Sequence, residues 1–348
     1  MINKVILSDL EYICEAKIPW NLLKNKTVLI SGANGFLASY LVDTLLYLNE
    51  KKNLNVQVIG LVRSTSKALC RFKYAINNAK LKFISQDICD ELKIKEEIDY
   101  IIHTASYASP KIFSEDPVGT ILPNIVGTNN LLKLAKKNNV ECFLFFSTSG
   151  VYGYVDEKKY PLKEDDFGIL NPTDIESCYL ESKRMGENLC IAWNHQFQVP
   201  VKIVRPAITY GPGVKLDDGR SYADFISCIV NNKDIEIYSQ GTAIRNFCYI
   251  ADATLGFFTV LLKGKIGEAY NVATDQEISI IDLANYLVKE VFPEKRLKVV
   301  KKHKSSKNFL RMNFSRTTVD ISKTKELGWK LSYPLSEGFK RVVKSFES

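Results

Sequence analysis

Residues 26–38 read KTVLISGANGFLA, and this stretch decides the fold. Its first half (KTVLIS) is a short apolar run without alternation, the pattern of a strand covered on both faces and so of a parallel sheet. The run enters a glycine turn, G-x-x-G-x-x-A from Gly32 to Ala38, and a helix follows at once, with an apolar stripe through Phe36, Leu37, Tyr40, Leu41, Leu45 and Leu48. Gly32 permits the tight turn, Gly35 lets backbone approach a pyrophosphate, and small Ala38 allows close helix-to-strand packing. The helix N-terminus then presents free N–H groups and a positive dipole to phosphates. Such turns also form for purely steric reasons, but as the first strand-turn-helix of an alternating chain this one reads as a dinucleotide site.

Further apolar runs lie at 56–62 (VQVIGLV), 81–84 (LKFI), 100–103 (YIIH), 142–147 (CFLFFS) and 201–204 (VKIV), separated by helix-sized segments. Alternating strands and helices predict an α/β chain with a Rossmann-type doubly wound parallel sheet. Past Arg205 the rhythm changes: Gly and Pro cluster at 210–213 (YGPG), and short pieces follow. Residues 249–262 (YIADATLGFFTVLL) suit a helix that returns to the sheet. The expected organisation is an N-terminal extension at 1–25, a dinucleotide-binding domain at 26–205 with a return segment at 247–275, and a smaller substrate-binding region at 206–246 and 276–348.

Composition narrows the partners. Forty-seven basic against thirty-nine acidic residues give +8, which favours an anionic ligand. The densest basic stretch, 295–307 (KRLKVVKKHKSSK), is interrupted by Val299 and Val300 and lacks aromatics, so it reads as a surface strand or loop and not a nucleic-acid patch. Eight cysteines without a C-x-x-C pair and only three histidines argue against a metal site. No signal peptide and no membrane-length apolar run are read, so a reducing cytoplasm and no membrane partner are expected.

The cofactor type stays open. An NAD site usually has an acid about 20 residues past the glycines, at the end of the second strand. Here that strand ends in Val62-Arg63-Ser64; Arg63 and Ser64 suit a 2′-phosphate, or Arg63 is an ordinary surface arginine. Asp87, after the third strand, suits the adenine amino group or a cap on the next helix.

In Tyr179-Leu180-Glu181-Ser182-Lys183 the phenol and ammonium are four apart, on one helix face. A nearby cation lowers a phenol's pKa from about 10, making a base that takes a hydroxyl proton as hydride leaves the carbon. The pair alone is more often a surface feature than a site. Here Ser147-Thr148-Ser149-Gly150 follows another apolar strand at the sheet's carboxyl end, where Thr148 can hydrogen-bond the reacting oxygen.

With these features the chain resembles the extended short-chain dehydrogenase/reductase family, the NAD(P)-dependent nucleotide-sugar epimerases and dehydratases. The resemblance runs from Lys26 to the C-terminus, through SGANGFLAS (31–39), QDI (86–88), HTAS (103–106), PNIVGTNNLL (123–132), FSTSGVYG (146–153), CYLESKRMGE (178–187), RPAITYGPG (205–213), RNFCYIAD (245–252), YNVATDQEISIIDLA (270–284) and ELGW (326–329). Residues 171–219 look most like UDP-glucuronate decarboxylases. The resemblance implies Tyr179 as general base, Lys183 on the nicotinamide ribose, and Thr148 on the sugar 4-hydroxyl. It implies a cofactor, NAD or NADP, lined by Gly32, Asn34, Gly35, Phe36 and Leu37, with Asp87 and Ile88 near adenine and Ala105, Ser106 and Asn124 also on its path. Arg245 and Arg316 would grip the diphosphate of a nucleotide sugar, with Arg220 and Tyr238 near its nucleotide end.

Two departures follow. Decarboxylases of this type carry Glu two residues after the catalytic Thr, and 4,6-dehydratases carry Asp-Glu directly after it; here those positions are Ser149 and Gly150. Small residues there are what the 4-epimerases tend to show. Ile208 stands where the family's RxFNxYGP pattern places an Asn on the substrate phosphates. The expectation is therefore a nucleotide-sugar epimerase working through a 4-keto sugar, as a homodimer joined by the helix that bears Tyr179. The alternatives are a 4,6-dehydratase or decarboxylase, a 4-dehydrogenase or reductase, and a catalytically silent dinucleotide-binding protein.

Overall fold

The glycine turn lies at the middle of a seven-stranded sheet. The computed structural model describes residues 2–302 and 314–347. In chain order the strands are β1 (Thr27–Ser31), β2 (Gln57–Val62), β3 (Leu81–Ser85), β4 (Tyr100–His103), β5 (Cys142–Phe146), β6 (Val201–Pro206), β7 (Ile208–Tyr210), β8 (Ile235–Ile237), β9 (Ile244–Tyr249), β10 (Ala269–Val272), β11 (Glu277–Ser279) and β12 (Val299–Lys301). The large sheet is parallel throughout, in the order β10-β6-β5-β4-β1-β2-β3. Strand order reverses between β1 and β4, so the crevice beyond their carboxyl ends is the switch point where doubly wound sheets bind ligands.

The unbroken run of β1 has its cause in two layers of core. Val28 and Ile30 pack into one layer with the Phe36–Lys52 and Ile250–Lys263 helices, while Leu29 packs into the other with Leu131, Leu132 and Phe143. Each such side chain, fully buried, contributes about 1.5–3 kcal/mol. The returning helix spans Ile250–Lys263, and β10 follows it onto the edge of the sheet.

Two small sheets stand apart. β7 pairs β9 parallel and β11 pairs β9 antiparallel, while β8 pairs β12. Within the basic stretch at 295–307, residues 299–301 form the edge strand β12 and residues 303–307 lie outside the described residues.

The extension is a folded part of the molecule. Its Lys4–Glu15 helix is started by Asn3, whose side chain accepts from Val5 N at 2.9 Å. It covers the Phe36–Lys52 helix, so Ala38 through Leu48 are all buried and not only the expected stripe. Trp20 packs edge-on to Phe258 of the returning helix, 5.2 Å between rings. At the centre of this layer Asp9, fully buried, accepts from Tyr40 (3.0 Å), Tyr249 (2.9 Å) and Arg341 (2.5 Å). Arg341 lies on the C-terminal helix, Leu335–Glu347.

Candidate active site

The first element of the site is a cradle at the switch point. Gly32 has φ +68°, and a Cβ there would stand 2.8 Å from the backbone of Ala105, just past β4. Gly32 N donates to Leu61 O at 2.8 Å, and Gly35 N to Gly32 O at 2.8 Å, which closes the turn. Gly35 then starts the Phe36–Lys52 helix with no side chain capping its amides. Bare backbone on both sides of the turn and an uncapped helix end fit a dinucleotide pyrophosphate. Asn34, Phe36 and Leu37 belong to this turn, and Ala105 and Ser106 form the facing wall. Ser31 Oγ accepts from Ala105 N (3.2 Å) and pairs with His103 Nδ1 (2.8 Å), and His103 Nε2 pairs with Thr128 Oγ1 (3.0 Å). Burial pushes His103 down to about 3, so it is a neutral strut under the groove.

The other cofactor positions sort as follows. Arg63 and Ser64 follow β2 directly; Arg63 lies over the Tyr107 ring, 4.8 Å from its centroid. Asp87 accepts from Cys89 N at 2.8 Å, capping a turn. Ile88 is buried against Gly127. Asn124 is fully buried behind the helix that carries Ser182, where its amide donates to Thr120 O and Ser182 Oγ, both 3.0 Å.

Tyr179 and Lys183 lie on the Cys178–Phe197 helix, and Thr148 begins the short Ser149–Tyr152 turn after β5. The Thr148 hydroxyl lies near enough to the Tyr179 phenol to favour its ionised form. Thr148 Oγ1 also accepts from Gly150 N at 3.2 Å. The ring of Phe113 stacks on that of Tyr179, 4.7 Å apart and 14° from parallel.

The expected effect of Lys183 on the phenol is corrected here. Tyr179 is pushed up to about 12, because burial of its oxygen outweighs the opposing effects of Thr148 and Arg220. Lys183 Nζ is 6.0 Å from the Tyr179 ring centroid and donates to Phe146 O at 2.6 Å, so its charge is aimed at the end of β5. Burial pulls Lys183 itself down to about 7.

That shift predicts a pH dependence of stability. Below pH 7 lysine is charged in both the folded and unfolded chain, and the folded state bears the full desolvation cost. Between about 7 and the ordinary 10.5 the folded lysine is neutral while the unfolded one keeps its proton, so stability rises with pH. A Lys183→Met variant is expected to be more stable than wild type at pH 6, with the gap shrinking by about 1.4 kcal/mol per pH unit from 7 toward 10. Chemical denaturation at pH 6 and 9 measures it, and a pH-independent gap would refute it.

Two arginines that sequence reading passed over hold the Thr148 loop. Arg184 donates to Val151 O (2.6 Å), Tyr152 O (3.1 Å) and Gly168 O (2.9 Å). Arg205 forks onto Glu187 at 2.9 and 2.7 Å and donates to Tyr152 Oη at 3.1 Å. The available signals were only their places, one beside Lys183 and one at the end of β6.

The substrate set divides. Arg220 is paired to both oxygens of Asp218, and its charge acts on Tyr179. Tyr238 is exposed, with its hydroxyl on Glu236. Arg245 and Arg316 converge on Tyr160: both charges act on its hydroxyl, and Arg316 lies over its ring at 5.4 Å. Arg316 also pairs with Glu277. Ile208 opens β7, level with Phe247. Among the described residues no group of acids, histidines and cysteines is arranged to hold a metal ion, and no helix is long and apolar enough to cross a membrane.

A dinucleotide cradle and a threonine, tyrosine and lysine at one carboxyl edge define an enzyme of the short-chain dehydrogenase/reductase type, built to hold a nicotinamide dinucleotide. The chain belongs to the NAD dependent epimerase/dehydratase family, whose model matches residues 28–273. It is 32% identical over 323 residues to UDP-glucuronic acid decarboxylase 6 of Arabidopsis thaliana, covering 92% of this chain and 89% of the relative. UDP-glucuronic acid decarboxylase 1 of Xenopus tropicalis is 30% identical, over 92% of this chain and 72% of the relative. Among solved structures, UDP-glucuronic acid 4-epimerase of Bacillus cereus, in complex with UDP-glucuronic acid and NAD, aligns with a TM-score of 0.77 at 26% identity, over 92% of this chain and 99% of that one. UDP-glucose 4-epimerase of Thermotoga maritima shares the fold with a TM-score of 0.78 at 24% identity, over 92% and 98%.

Proposed function

We propose that the chain is a nucleotide-diphosphate-sugar 4-epimerase. The observation that carries this reading is at Gly150. The position from which related decarboxylases extend a glutamate has no side chain, and a Cβ built there would stand 2.6 Å from Leu180 Cδ2. Leu180, next to the phenol, covers the place, so the site supplies a hydroxyl and a phenol at the sugar but no acid beside them. In this reading Thr148 and Tyr179 hold the 4-hydroxyl, and Tyr179, once ionised to the phenolate, takes its proton. Gly32, Gly35 and Lys183 would hold the dinucleotide, which would supply reversible hydride acceptance at C4. Arg220 holds charge against the phenol, and Arg245 and Arg316 hold the diphosphate in the region formed by 206–246 and 276–348. A homodimer belongs to the same reading: Met185 and Ile191 on the catalytic helix and Val118 on the neighbouring Pro117–Leu122 helix are exposed apolar residues.

The decarboxylase relatives, 30% or more identical across most of their length, favour a second reading, loss of a carboxylate through the same C4 oxidation. Mass spectrometry of products from a panel of nucleotide sugars separates the two. A product of unchanged mass that differs at C4 is expected. Loss of carbon dioxide from a uronic acid substrate would replace epimerisation with decarboxylation, and loss of water would replace both.

A further inference from the structure

The Tyr179 phenol has a neighbour that neither the glycine cradle nor the Thr148 loop supplies. Past β4 the chain leaves the carboxyl end of the sheet as a strap, residues 106–116, and ends where Asp116 caps the Pro117–Leu122 helix, its carboxylate accepting from Gly119 N at 2.9 Å. Within the strap, Ser109 O accepts from Ile112 N at 3.0 Å and Phe113 N at 3.1 Å, opening the short Pro110–Glu115 helix. That turn lays the Phe113 ring on the ring of Tyr179, 4.7 Å between centroids and 14° from parallel.

The strap is fastened from outside at two points. Tyr107 lies under the guanidinium of Arg63, 4.8 Å from ring centroid to charge. Ser109 Oγ donates to Asp218 O at 3.1 Å, across to the substrate-binding region. The turn that it meets is held by Gly219, at φ +83°, and by Arg220, which pairs with both carboxylate oxygens of Asp218. This turn therefore reaches Tyr179 by two routes: through the charge of Arg220, and through Ser109 and the ring of Phe113.

Tyr179 is met from four directions. Thr148 comes from the loop after β5, Arg220 with Asp218 from the turn before the Ser221–Val230 helix, Lys183 from the helix of Tyr179 itself, and Phe113 from the strap. Of these four, Phe113 is the one whose side chain has no polar atom. A hydrocarbon ring laid on one face of a phenol keeps water from it, and burial is what raises the pKa of Tyr179.

We propose that Phe113 is a positioning residue for Tyr179: the strap, pinned by Ser109 to the 218–220 turn, holds the Phe113 ring on the phenol and so sets how readily that phenol gives up its proton. This role rests on the reading of Tyr179 as proton acceptor, but its test needs no turnover, so failure here and failure of that reading are separate results.

The test places 3-fluorotyrosine, a more acidic phenol, at position 179 of the full chain and follows its fluorine resonance against pH, after removal of any nucleotide carried through purification. Phe113→Ala is expected to lower the midpoint of ionisation by about one pH unit, because water reaches the face that the ring covered. Phe113→Leu, which keeps an apolar cover, is expected to stay within about 0.3 unit of wild type. Ser109→Ala, which frees the strap from Asp218 and leaves the ring in place, is expected to shift the midpoint in the same direction by less than Phe113→Ala does. A midpoint unchanged by Phe113→Ala, or moved as far by Phe113→Leu as by Phe113→Ala, would overturn the assignment to the ring. A midpoint unchanged by Ser109→Ala would overturn the pin.

Discussion

Replacing Tyr179 by Phe is expected to lower kcat on the enzyme's nucleotide sugar by about 10³-fold, within the range that a positioned proton acceptor contributes. The change removes one oxygen and leaves the ring that stacks on Phe113 at 4.7 Å, so the packing of the helix is kept. Binding of the dinucleotide is expected to stay within about threefold, because the cradle at Gly32 and Gly35 is built from other elements. Steady-state turnover and nucleotide binding, measured on the same preparation, separate chemistry from folding. Wild-type turnover by the variant would take the phenol out of the reaction.

Asp9→Ala is expected to lower the unfolding free energy by about 3 kcal/mol, the effect of removing a buried carboxylate and leaving a partly buried arginine and two buried tyrosine hydroxyls without their partner. Asp9 has no exposed surface, and it gathers Tyr40, Tyr249 and Arg341 from three separate helices or strands. Burial raises the pKa of the Asp9 carboxyl, and Arg341 followed by the two tyrosines opposes the rise. Removing both charges in an Asp9→Leu, Arg341→Met double variant is expected to recover most of the loss, since the pair's desolvation cost goes with it. Denaturant melts of the two single variants and the double variant make the cycle. Additive losses would mean that the two residues act separately.

The residues that announce themselves in sequence are those whose neighbours along the chain determine their environment. The apolar run before Gly32 reads as a buried strand because both faces of β1 meet core, and Gly32 reads as a turn because its φ is +68°. Tyr179 and Lys183 are visible through a spacing of four on one helix. That spacing does not say where the ammonium turns, and it turns to Phe146 O, a partner set by how close the helix comes to β5. The clamps of Arg184 and Arg205 were equally hidden, since each meets its partners only after the Thr148 loop has folded back over the helix. Leu180 covering Gly150 is of the same kind: each residue is unremarkable alone, and the contact between them carries the functional reading. The face of the Phe36–Lys52 helix that reads as solvent-facing is covered by residues 4–15, which no local periodicity connects to it.

The junction of the Lys4–Glu15 and Leu335–Glu347 helices gives the molecule an order in time. Asn3 Nδ2 donates to Ser345 O at 3.0 Å, and Asp9 waits for Arg341, made 332 residues later. At ribosomal rates of about 5–20 residues per second, the first helix is exposed for roughly 20–70 s before its partner leaves the exit tunnel. The cofactor sheet gains its edge strand β10 only after residue 272 has emerged. Until then the nascent chain carries an apolar helix face and an unpaired sheet edge, the two surfaces that chaperones hold. The Leu335–Glu347 helix, made long after the Lys4–Glu15 helix, is the one that closes it.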